Sequence, residues 1–443
     1  MSQNYRIAFI SLGCAKNLVD TEYMMGQVRQ IGHQLVEDPE KAEIIVVNTC
    51  GFIDSAKQEA IDTLLDMAEF KSFGLQWLIA TGCLSQRYGK ELQELLPEVD
   101  AFLGSSTYLE IGRVIERLDA GEKAILSLAE PESYLPHAGL PKEQATLGAT
   151  AYLKIADGCS NRCSYCTIPL IRGEFRSRSI DDLKMEASQM VKNGVREICL
   201  IAQDSSRYGL DIYGELSLVK LCRELLTLKD LKWLRILYCY PAHLTTDLWE
   251  LMRDEKRVLP YLDIPLQHSE DRILQSMHRR GSKAEINVAL QEARKIVPEI
   301  IIRTTMIVGY PSESEIEFES LLDFVAEQRF DHLGAFAYSQ EEDTPAGIMT
   351  LQIEEDIKQE RVDRLMKYQQ MITHTIKEKW LNTEVEVLVE SIQVDGLRLG
   401  RFWGQAPDVD GFIILENCLA DVGQFVKARI KAIQGYDLVA EMI

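Results

Sequence analysis

The sequence predicts an α/β protein built from an N-terminal doubly wound parallel sheet, a central partial (βα)6 barrel and a C-terminal five-stranded antiparallel barrel of OB type. Three features of the chain support this prediction. Apolar runs alternate with helical patterns through most of its length, as in parallel sheets whose strands are joined by crossover helices. A proline-containing stretch separates the first two regions. The last part of the chain instead contains short strands separated by turn residues.

The N-terminal region, residues 1–140, contains apolar runs that are typical of buried parallel strands. These runs are Arg6–Leu12, Glu43–Asn48 and Gln76–Ala80. Amphipathic patterns at Asp20–Ile31 and Asp54–Phe70 predict helices after the first two strands. Strands and helices in this alternating order predict a right-handed, doubly wound sheet.

The segment 131–148 contains three prolines and several charges, and it is predicted to be a linker. The central region, residues 149–380, ends in a charged amphipathic helix that is predicted over Glu354–Leu381. Six strand candidates separated by helical stretches favour an open barrel, whose active face is expected at the carboxyl ends of the strands. The candidates are Ala151–Ala156, Glu197–Ala202, Trp233–Tyr238, Tyr261–Pro265, Ile300–Val308 and Leu333–Ser339.

The C-terminal region, residues 381–443, contains five short apolar-rich runs, several of which alternate with polar residues. Turn signals such as Asp395-Gly396, Asp410-Gly411 and Gly435 separate these runs. Five strands at this spacing predict a small barrel of OB type. The runs are Val385–Val389, Gly396–Phe402, Gly411–Leu415, Phe425–Ile433 and Leu438–Met442.

Composition and charge narrow the class of protein. Of the 443 residues, 46% are hydrophobic and 26% are charged, as in ordinary globular proteins. The chain begins without an apolar signal core and has no uncharged apolar window of membrane-spanning length, so a cytoplasmic protein without a membrane partner is expected. The formal net charge is −21. Because nucleic-acid binding relies on Lys and Arg at phosphates, this charge argues against nucleic acid as the main substrate and favours a basic or small-molecule partner.

Cys159, Cys163 and Cys166 form a C-x3-C-x2-C run that directly follows the first predicted barrel strand. A four-iron four-sulfur cluster normally takes four thiolates, so three protein ligands would leave one iron with an open position. Zinc sites use two separated cysteine pairs, or cysteine with histidine, and neither lies near this run. The run therefore predicts a cluster, with a zinc site or a chance grouping of core cysteines as the alternatives.

A second set of cysteines, Cys14, Cys50 and Cys83, follows the three predicted N-terminal strands. Ligands of open parallel sheets lie beyond the carboxyl ends of the strands. Neighbouring strands would therefore bring these thiols to one edge, although 36 and then 33 residues separate them. A glycine beside each cysteine indicates a tight turn. The set predicts a second cluster with three ligands, and three unrelated buried cysteines are the alternative.

The Cys159 run, with Tyr165 just before its last cysteine, resembles the motif of radical S-adenosylmethionine (SAM) enzymes. The resemblance implies that SAM binds the open iron and is cleaved to a 5′-deoxyadenosyl radical by an electron from a low-potential donor. It also implies that Tyr165 and the turn at Gly309 lie near the adenine. Plain core packing of Tyr165 and a simple strand-to-loop turn at Gly309 are the alternatives. Gln203 and Gln267 close predicted barrel strands and are candidates for contact with SAM or substrate. Three arginines follow the run, and one of them is a candidate partner for the SAM carboxylate, with a solvated positive loop as the alternative. They are Arg172, Arg176 and Arg178.

The two cysteine sets and the five-stranded tail, in this order, resemble the radical SAM methylthiotransferase family, whose C-terminal module is the TRAM domain. The resemblance implies an auxiliary cluster on Cys14, Cys50 and Cys83 that holds sulfur from an external sulfur donor. The resemblance assigns the chemistry of the protein to the two clusters and their cysteine ligands. No other side chain is predicted to be catalytic.

Within that family, the run from Ser11 to Asp20 is similar to the RimO-type branch, whose members modify the β-carbon of an aspartate in small-subunit ribosomal protein S-twelve. Over residues 381–443, ten acidic side chains oppose five basic ones, which favours a basic protein loop over RNA. Two alternatives stay open: the branch that modifies an adenosine in tRNA, and an iron–sulfur carrier or scaffold without radical chemistry.

Overall fold

A computed structural model describes residues 4–131, 135–146, 148–394 and 396–443. The chain forms two compact units. The first comprises Met1–Ala145, Ala156–Arg178 and Ser339–Gly347, and the second comprises Thr146–Ile155, Ser179–Tyr338 and Ile348–Ile443. Residues 132–134 and 147 of the predicted linker, and Asp395 of a predicted turn, lie outside the described residues.

The first unit is built on a parallel sheet with the strand order β2-β1-β3-β4-β5-β6. The strands are β1 Arg6–Ser11, β2 Gln34–Leu35, β3 Ile44–Thr49, β4 Trp77–Gly82, β5 Ala101–Gly104 and β6 Ile125–Ser127, and the helices are α1 Ala15–Gln30, α2 Asp54–Ala68, α3 Cys83–Leu95 and α4 Ile111–Asp119. All six residues of β3 are buried, as expected for an apolar strand between two neighbours. The three predicted strands are confirmed as β1, β3 and β4. The shorter β2, β5 and β6 were not predicted, because they have too few residues to show an apolar pattern.

The rest of the chain up to residue 338 contains eight strands within its described residues. They are β7 Thr150–Lys154, β8 Ala156–Asp157, β9 Arg176–Ser177, β10 Glu197–Ile201, β11 Trp233–Ile236, β12 Tyr261–Asp263, β13 Ile301–Val308 and β14 His332–Ala337. The helices are α5 Ile168–Arg172, α6 Ile180–Lys192, α7 Leu210–Tyr213, α8 Leu218–Leu225, α9 Thr246–Asp254, α10 Asp271–Ser276, α11 Lys283–Ile296 and α12 Glu315–Gln328. Ser282 and Ser314 begin α11 and α12 with capping boxes that satisfy the first free N–H groups of each helix.

Six of these strands form the predicted partial barrel in the second unit. Strands β7, β10 and β11 make one parallel sheet, and β12, β13 and β14 make another. The N–H of Cys239 donates to the carbonyl of Asp263 at 2.8 Å, which joins the chain after β11 to the end of β12. The first barrel strand was predicted to continue to Ala156, but β7 ends at Lys154. Ala156 and Asp157 instead pair with Arg176 and Ser177 as a small antiparallel ladder of the first unit.

The C-terminal region forms a closed five-stranded barrel after the long helix α13, Glu355–Lys377. Its strands are β15 Glu384–Ile392, β16 Arg398–Phe402, β17 Ile413–Glu416, β18 Phe425–Gln434 and β19 Asp437–Met442. All five predicted strands are present, and the neighbours are antiparallel except for the parallel pair β17–β19. Strand directions cannot alternate around a closed ring with an odd number of strands, so one parallel pair is unavoidable. No helix of the described chain combines the length and the apolar character that spanning a bilayer requires.

A buried ion-pair network joins this small barrel to the amino ends of the larger barrel's strands within the second unit. The Glu197 carboxylate accepts hydrogen bonds from Nε of Arg235 at 2.8 Å and from Nη2 of Arg401 at 2.6 Å. Arg401 also pairs with Glu390 of β15. Burial raises the pKa of Glu197, but Arg401 and Arg235 outweigh it and lower this pKa to about 2. Nearby, Arg303 pairs with Asp410. The network therefore lies at the end of the strands opposite to the expected active face.

Candidate functional site

Cys14, Cys50 and Cys83 lie at the carboxyl ends of three adjacent parallel strands of the first unit. Cys14 follows β1 and is the N-cap residue of α1, Cys50 follows β3, and Cys83 is the first residue of α3 after β4. The ladder pairs Ser11 with Asn48 and Thr49 with Gly82, so the three chains leave the sheet side by side. The strand order reverses between β2-β1 and β3-β4, which makes this edge the topological switch point where open α/β sheets bind ligands.

Glycines allow the close approach of these three loops. Gly13 has φ +84, and a Cβ there would lie 2.8 Å from Cβ and 3.1 Å from Sγ of Cys50. A Cβ at Gly51 would lie 2.7 Å from the Cα of Leu84, the residue after Cys83. Because Cβ atoms essentially never approach another atom to 2.7 or 2.8 Å, side chains at these positions would push the cysteine loops apart. The φ values of +84 at Gly13 and +99 at Gly82 support the predicted tight turns beside Cys14 and Cys83.

Asn17, which is fully buried on α1, ties the three loops together. Its Nδ2 donates to the carbonyls of Leu12 at 3.2 Å and Thr49 at 3.0 Å, one residue before Cys50. Its Oδ1 accepts from the Cys83 thiol at 3.5 Å. One amide thus contacts the chain beside two of the cysteines and the thiol of the third.

The Cys159 run also belongs to the first unit, in the loop between β8 and α5. Cys159, Cys163, Cys166 and Tyr165 are all half-buried. The N–H of Cys159 donates to the carbonyl of Gly173 at 3.0 Å, and the N–H of Cys166 donates to that of Cys163 at 3.1 Å, so the loop closes on itself. The structure therefore brings all six predicted cysteine ligands into one compact unit.

Arg172, at the end of α5, is 3% exposed, so the alternative of a solvated position is wrong. Its guanidinium contacts Asp157 at 3.2 Å, Asp20 at 2.8 Å and Oδ1 of Asn17 at 2.7 Å, and Nη2 lies 3.8 Å from Sγ of Cys83. Burial alone would lower the pKa of Arg172, but Asp157 and Asp20 outweigh it and hold this pKa well above its usual value. The arginine therefore stays charged beside the cysteine edge.

The three N-terminal thiols differ in acidity. The Cys14 side chain is exposed, yet enough protein surrounds it for desolvation to raise its pKa; Lys16 and Arg172 outweigh this effect and lower the pKa below the usual thiol value. Desolvation, with the neighbouring Cys83, raises the pKa of Cys50 to about 12. Desolvation likewise raises the pKa of the buried Cys83. Because metals bind thiolates, loading this edge would release protons.

A strap, Ser339–Gly347, contacts both cysteine regions within the first unit. The buried carboxylate of Glu341 accepts hydrogen bonds from Lys57 at 3.1 Å and from Arg87 at 2.8 Å. Arg87 also donates to the carbonyl of Gly51, next to Cys50. At the other end of the strap, the N–H of Ala346 donates to the carbonyl of Ser164, between Cys163 and Cys166, at 2.9 Å. The strap therefore restrains both loops at once.

The remaining predicted residues lie in the second unit, after barrel strands. Gln203 follows β10 and is half-buried. Gln267 follows β12 with φ +76, and its N–H donates to the carbonyl of Thr305 at 2.8 Å. Gly309 follows β13 with φ +72, and its N–H donates to the Glu313 carboxylate. All three residues are thus at the carboxyl side of the strands, where barrel enzymes bind substrate.

Among residues 4–131, 135–146, 148–394 and 396–443, no group of three or more His, Cys, Asp or Glu side chains has the geometry to hold a metal ion. The donor chemistry nevertheless fits an iron–sulfur cluster. Each set offers three thiols, and the first set lies at the strand ends beside glycines that leave the loops room to approach.

Models of known families match three parts of the chain. Residues 6–104 match the model described as uncharacterized protein family UPF0004, residues 153–325 match the radical SAM superfamily, and residues 383–443 match the TRAM domain. The second match implies SAM and a four-iron four-sulfur cluster as cofactors.

Curated relatives match over almost the whole length. The ribosomal protein uS12 methylthiotransferase RimO of Syntrophomonas wolfei subsp. wolfei is 43% identical over 98% of this chain and 99% of its own. The proteins of the same name from Geotalea uraniireducens and Bdellovibrio bacteriovorus are 45% and 42% identical, over 99% and 100% of this chain and 98% of each relative. The chain belongs to the uS12 methylthiotransferase family. The resemblance found in the motifs is therefore confirmed, and the chain is a radical SAM methylthiotransferase.

Solved structures that share the fold are far more distant in sequence than the members of the uS12 methylthiotransferase family. The radical SAM methyltransferase TsrM from Kitasatospora setae aligns with a TM-score of 0.57 at 12% identity, over 77% of this chain and 75% of its own. The cobalamin-dependent SAM radical enzyme OxsB aligns with a TM-score of 0.51 at 11% identity, over 83% of this chain and 56% of its own. At such identities the likeness supports the fold alone.

Sequence reasoning missed several residues of the cysteine edge. Arg172 was noted only as a possible SAM contact, and its position beside Cys83 could not be seen from spacing. Asn17 and Asp20 were noted only as part of a resembling run. Nothing in the sequence pointed to Glu341, because its partners Lys57 and Arg87 are more than 250 residues away along the chain.

Proposed function

We propose that the protein transfers a methylthio group to the β-carbon of an aspartate in ribosomal protein uS12, with SAM and two four-iron four-sulfur clusters as cofactors. The observation that carries the proposal is the gathering of both cysteine sets in one compact unit of a chain that matches uS12 methylthiotransferases from end to end. The reaction would also require a low-potential electron donor and a sulfur donor. We place the protein in the cytoplasm, where ribosomes are made.

Cys159, Cys163 and Cys166 would hold the SAM-binding cluster, and Cys14, Cys50 and Cys83 the auxiliary one. When bound, SAM and the first cluster would supply the radical chemistry, a second SAM the methyl group, and the second cluster the sulfur. The protein's own part is to hold both groups and exclude water. Four further residues are candidates for contact with SAM, and a single substitution at each would test the contact. They are Tyr165, Gln203, Gln267 and Gly309.

The three sequence regions are proposed as functional modules, namely residues 1–140, 149–380 and 381–443. The family models at 6–104, 153–325 and 383–443 support this division. In the last module, the excess of five acidic side chains supports a basic protein partner and disfavours tRNA.

Anaerobic reconstitution followed by iron and sulfide analysis is the first test. Two clusters predict about eight irons and eight sulfides per chain. Zinc without labile sulfide would instead support a zinc-stabilised binding module, and about four irons would leave only one cluster.

Substrate choice is tested by incubating the reduced, reconstituted protein with SAM and either recombinant uS12 or tRNA, followed by mass spectrometry. The expected product is methylthio-aspartate in uS12. Methylthioadenosine in tRNA with unmodified uS12 would establish the tRNA alternative. If SAM yielded no 5′-deoxyadenosine at all, a carrier or scaffold would be the better assignment.

A further inference from the structure

Arg172 connects the two cysteine regions directly, through side chains of the first unit. On one side its Nη1 contacts both oxygens of Asp157, at 3.3 and 3.2 Å, two residues before Cys159. On the other side its Nη2 contacts Oδ1 of Asn17 at 2.7 Å and lies 3.8 Å from Sγ of Cys83. One guanidinium therefore contacts both Asp157, just before the Cys159 run, and Cys83 of the auxiliary set.

The environment of Arg172 explains why it keeps this position. Asp20 of α1 and Asp157 neutralise its charge, and all three side chains are nearly fully buried. Arginine is suited to such a position because its planar fork donates in several fixed directions, whereas a lysine ammonium acts as a single point. Deprotonation of Cys83 would remove the hydrogen that its thiol donates to Asn17, while the Arg172 N–H groups would still point toward both residues.

We propose that Arg172 is a positioning residue that holds the Cys83 loop against the Cys159 loop and donates an N–H hydrogen bond to the cluster-bound sulfur of Cys83. The inference rests on the proposed auxiliary cluster at Cys14, Cys50 and Cys83.

Two consequences follow for the auxiliary cluster. With Asp20 and Asp157 in place, a cation that donates a hydrogen bond to a cluster sulfur favours the reduced form more than a neutral side chain would, so Arg172 raises the reduction potential. The fork to Asn17 and Asp157 also restrains the loops, so Arg172 slows the loss of iron.

The test uses the full chain with Cys159, Cys163 and Cys166 replaced by Ala, so that only the auxiliary cluster can form. In this background, Arg172→Gln removes the charge, Arg172→Lys keeps the charge but not the fork, and Arg113→Gln is a control at an exposed arginine of α4. Two quantities are measured: the midpoint potential, by electron paramagnetic resonance during a redox titration, and the rate of iron loss to a chelator.

Arg172→Gln is expected to lower the midpoint potential of the auxiliary cluster by ~59 mV. For one electron, this is about a tenfold change in the oxidised-to-reduced ratio toward the oxidised form. Arg172→Lys should keep a potential near that of the Arg113→Gln control but should lose iron about tenfold faster. If Arg172→Gln does not fold, the chelator result for Arg172→Lys decides.

The inference is overturned if both Arg172 variants match the Arg113→Gln control in potential and in iron loss. Failure of the proposed function looks different, because then the background protein with intact Arg172 would bind no iron and sulfide.

Discussion

Two arginines, Arg172 in the first unit and Arg401 in the second, use the same chemistry for different ends. Both are at most 3% exposed, and each pairs with one carboxylate that is near in sequence and one from a distant part of the chain. Arg172 also lies beside a thiol, whereas Arg401 contacts Glu197 and Glu390, which join two β-structures. Burial of an ion pair therefore does not by itself mark a functional site; the reactive group next to the pair does.

The largest expected effect separates the two cysteine sets of the first unit. Cys163→Ala should remove one cluster and abolish SAM cleavage, because that cluster delivers the electron. Cys50→Ala should remove the other cluster and abolish methylthio transfer while sparing cleavage. The measurements are the iron content and the yield of 5′-deoxyadenosine.

Cys222→Ala is the control for these variants, since Cys222 lies buried in α8 of the second unit and should leave the iron count unchanged. Equal loss of SAM cleavage in the Cys163 and Cys50 variants would contradict two separate clusters.

Next in size is the loss of Arg401. Arg401→Gln leaves the buried Glu197 with one cation fewer, and breaking such a pair costs about 3–5 kcal/mol of the free energy of unfolding. Denaturant unfolding measures this cost. The clusters should load in the folded fraction with an unchanged midpoint potential and an unchanged rate of iron loss, which distinguishes this arginine from Arg172. The matched control is Arg429→Gln, whose exposed pair with Glu384 should contribute about 0–1 kcal/mol.

Acid should weaken the second unit through Glu197. Its pKa falls from 4.5 in the unfolded chain to about 2 in the folded one, so the folded state is stabilised above pH 4.5 and loses this stabilisation as the pH falls toward 2. A shift of this size corresponds to about 3 kcal/mol. Glu197→Gln should therefore unfold more readily at pH 7 but show a flatter decline between pH 4.5 and 2. An unchanged decline would assign the acid sensitivity to other carboxylates.

The smallest effect tests whether the second unit also contributes chemistry at the carboxyl ends of its strands. Gly309→Ala would place a Cβ 2.3 Å from Cγ of Lys358 and force a left-handed backbone on alanine, which costs about 1–2 kcal/mol. We expect SAM to bind about tenfold more weakly by equilibrium titration. Gly435→Ala is the control, because Gly435 has φ +62 but open space around it, so it should lose stability and not affinity.

Spacing and periodicity predicted those parts of the molecule that are local in sequence. The strands before Cys14, Cys50 and Cys83 are long apolar runs, and the glycines beside them mark tight turns, so their meeting at one sheet edge followed from parallel topology. The parallel neighbours β17 and β19 were missed because no residue pattern encodes strand direction.

Long-range contacts escaped prediction for a different reason. Arg172 contacts Asp20 across 152 residues, and Glu341 contacts Lys57 across 284 residues. A charged residue carries no periodic signal of what it will pair with. The end of β7 at Lys154 was also missed, because Ala156 is apolar enough to continue the strand but pairs with Ser177 instead.

The strap also imposes an order on biosynthesis. The first unit is complete only when Gly347 has been made, about 200 residues after Ala145, or on the order of 10–40 s later at ~5–20 residues per second. Until then the nascent N-terminal sheet lacks Glu341, the buried carboxylate that pairs with both Lys57 and Arg87. Maturation with iron and sulfide should therefore be a late event, and chains that stop before the strap should acquire metal poorly even though both sets of thiols have already been translated.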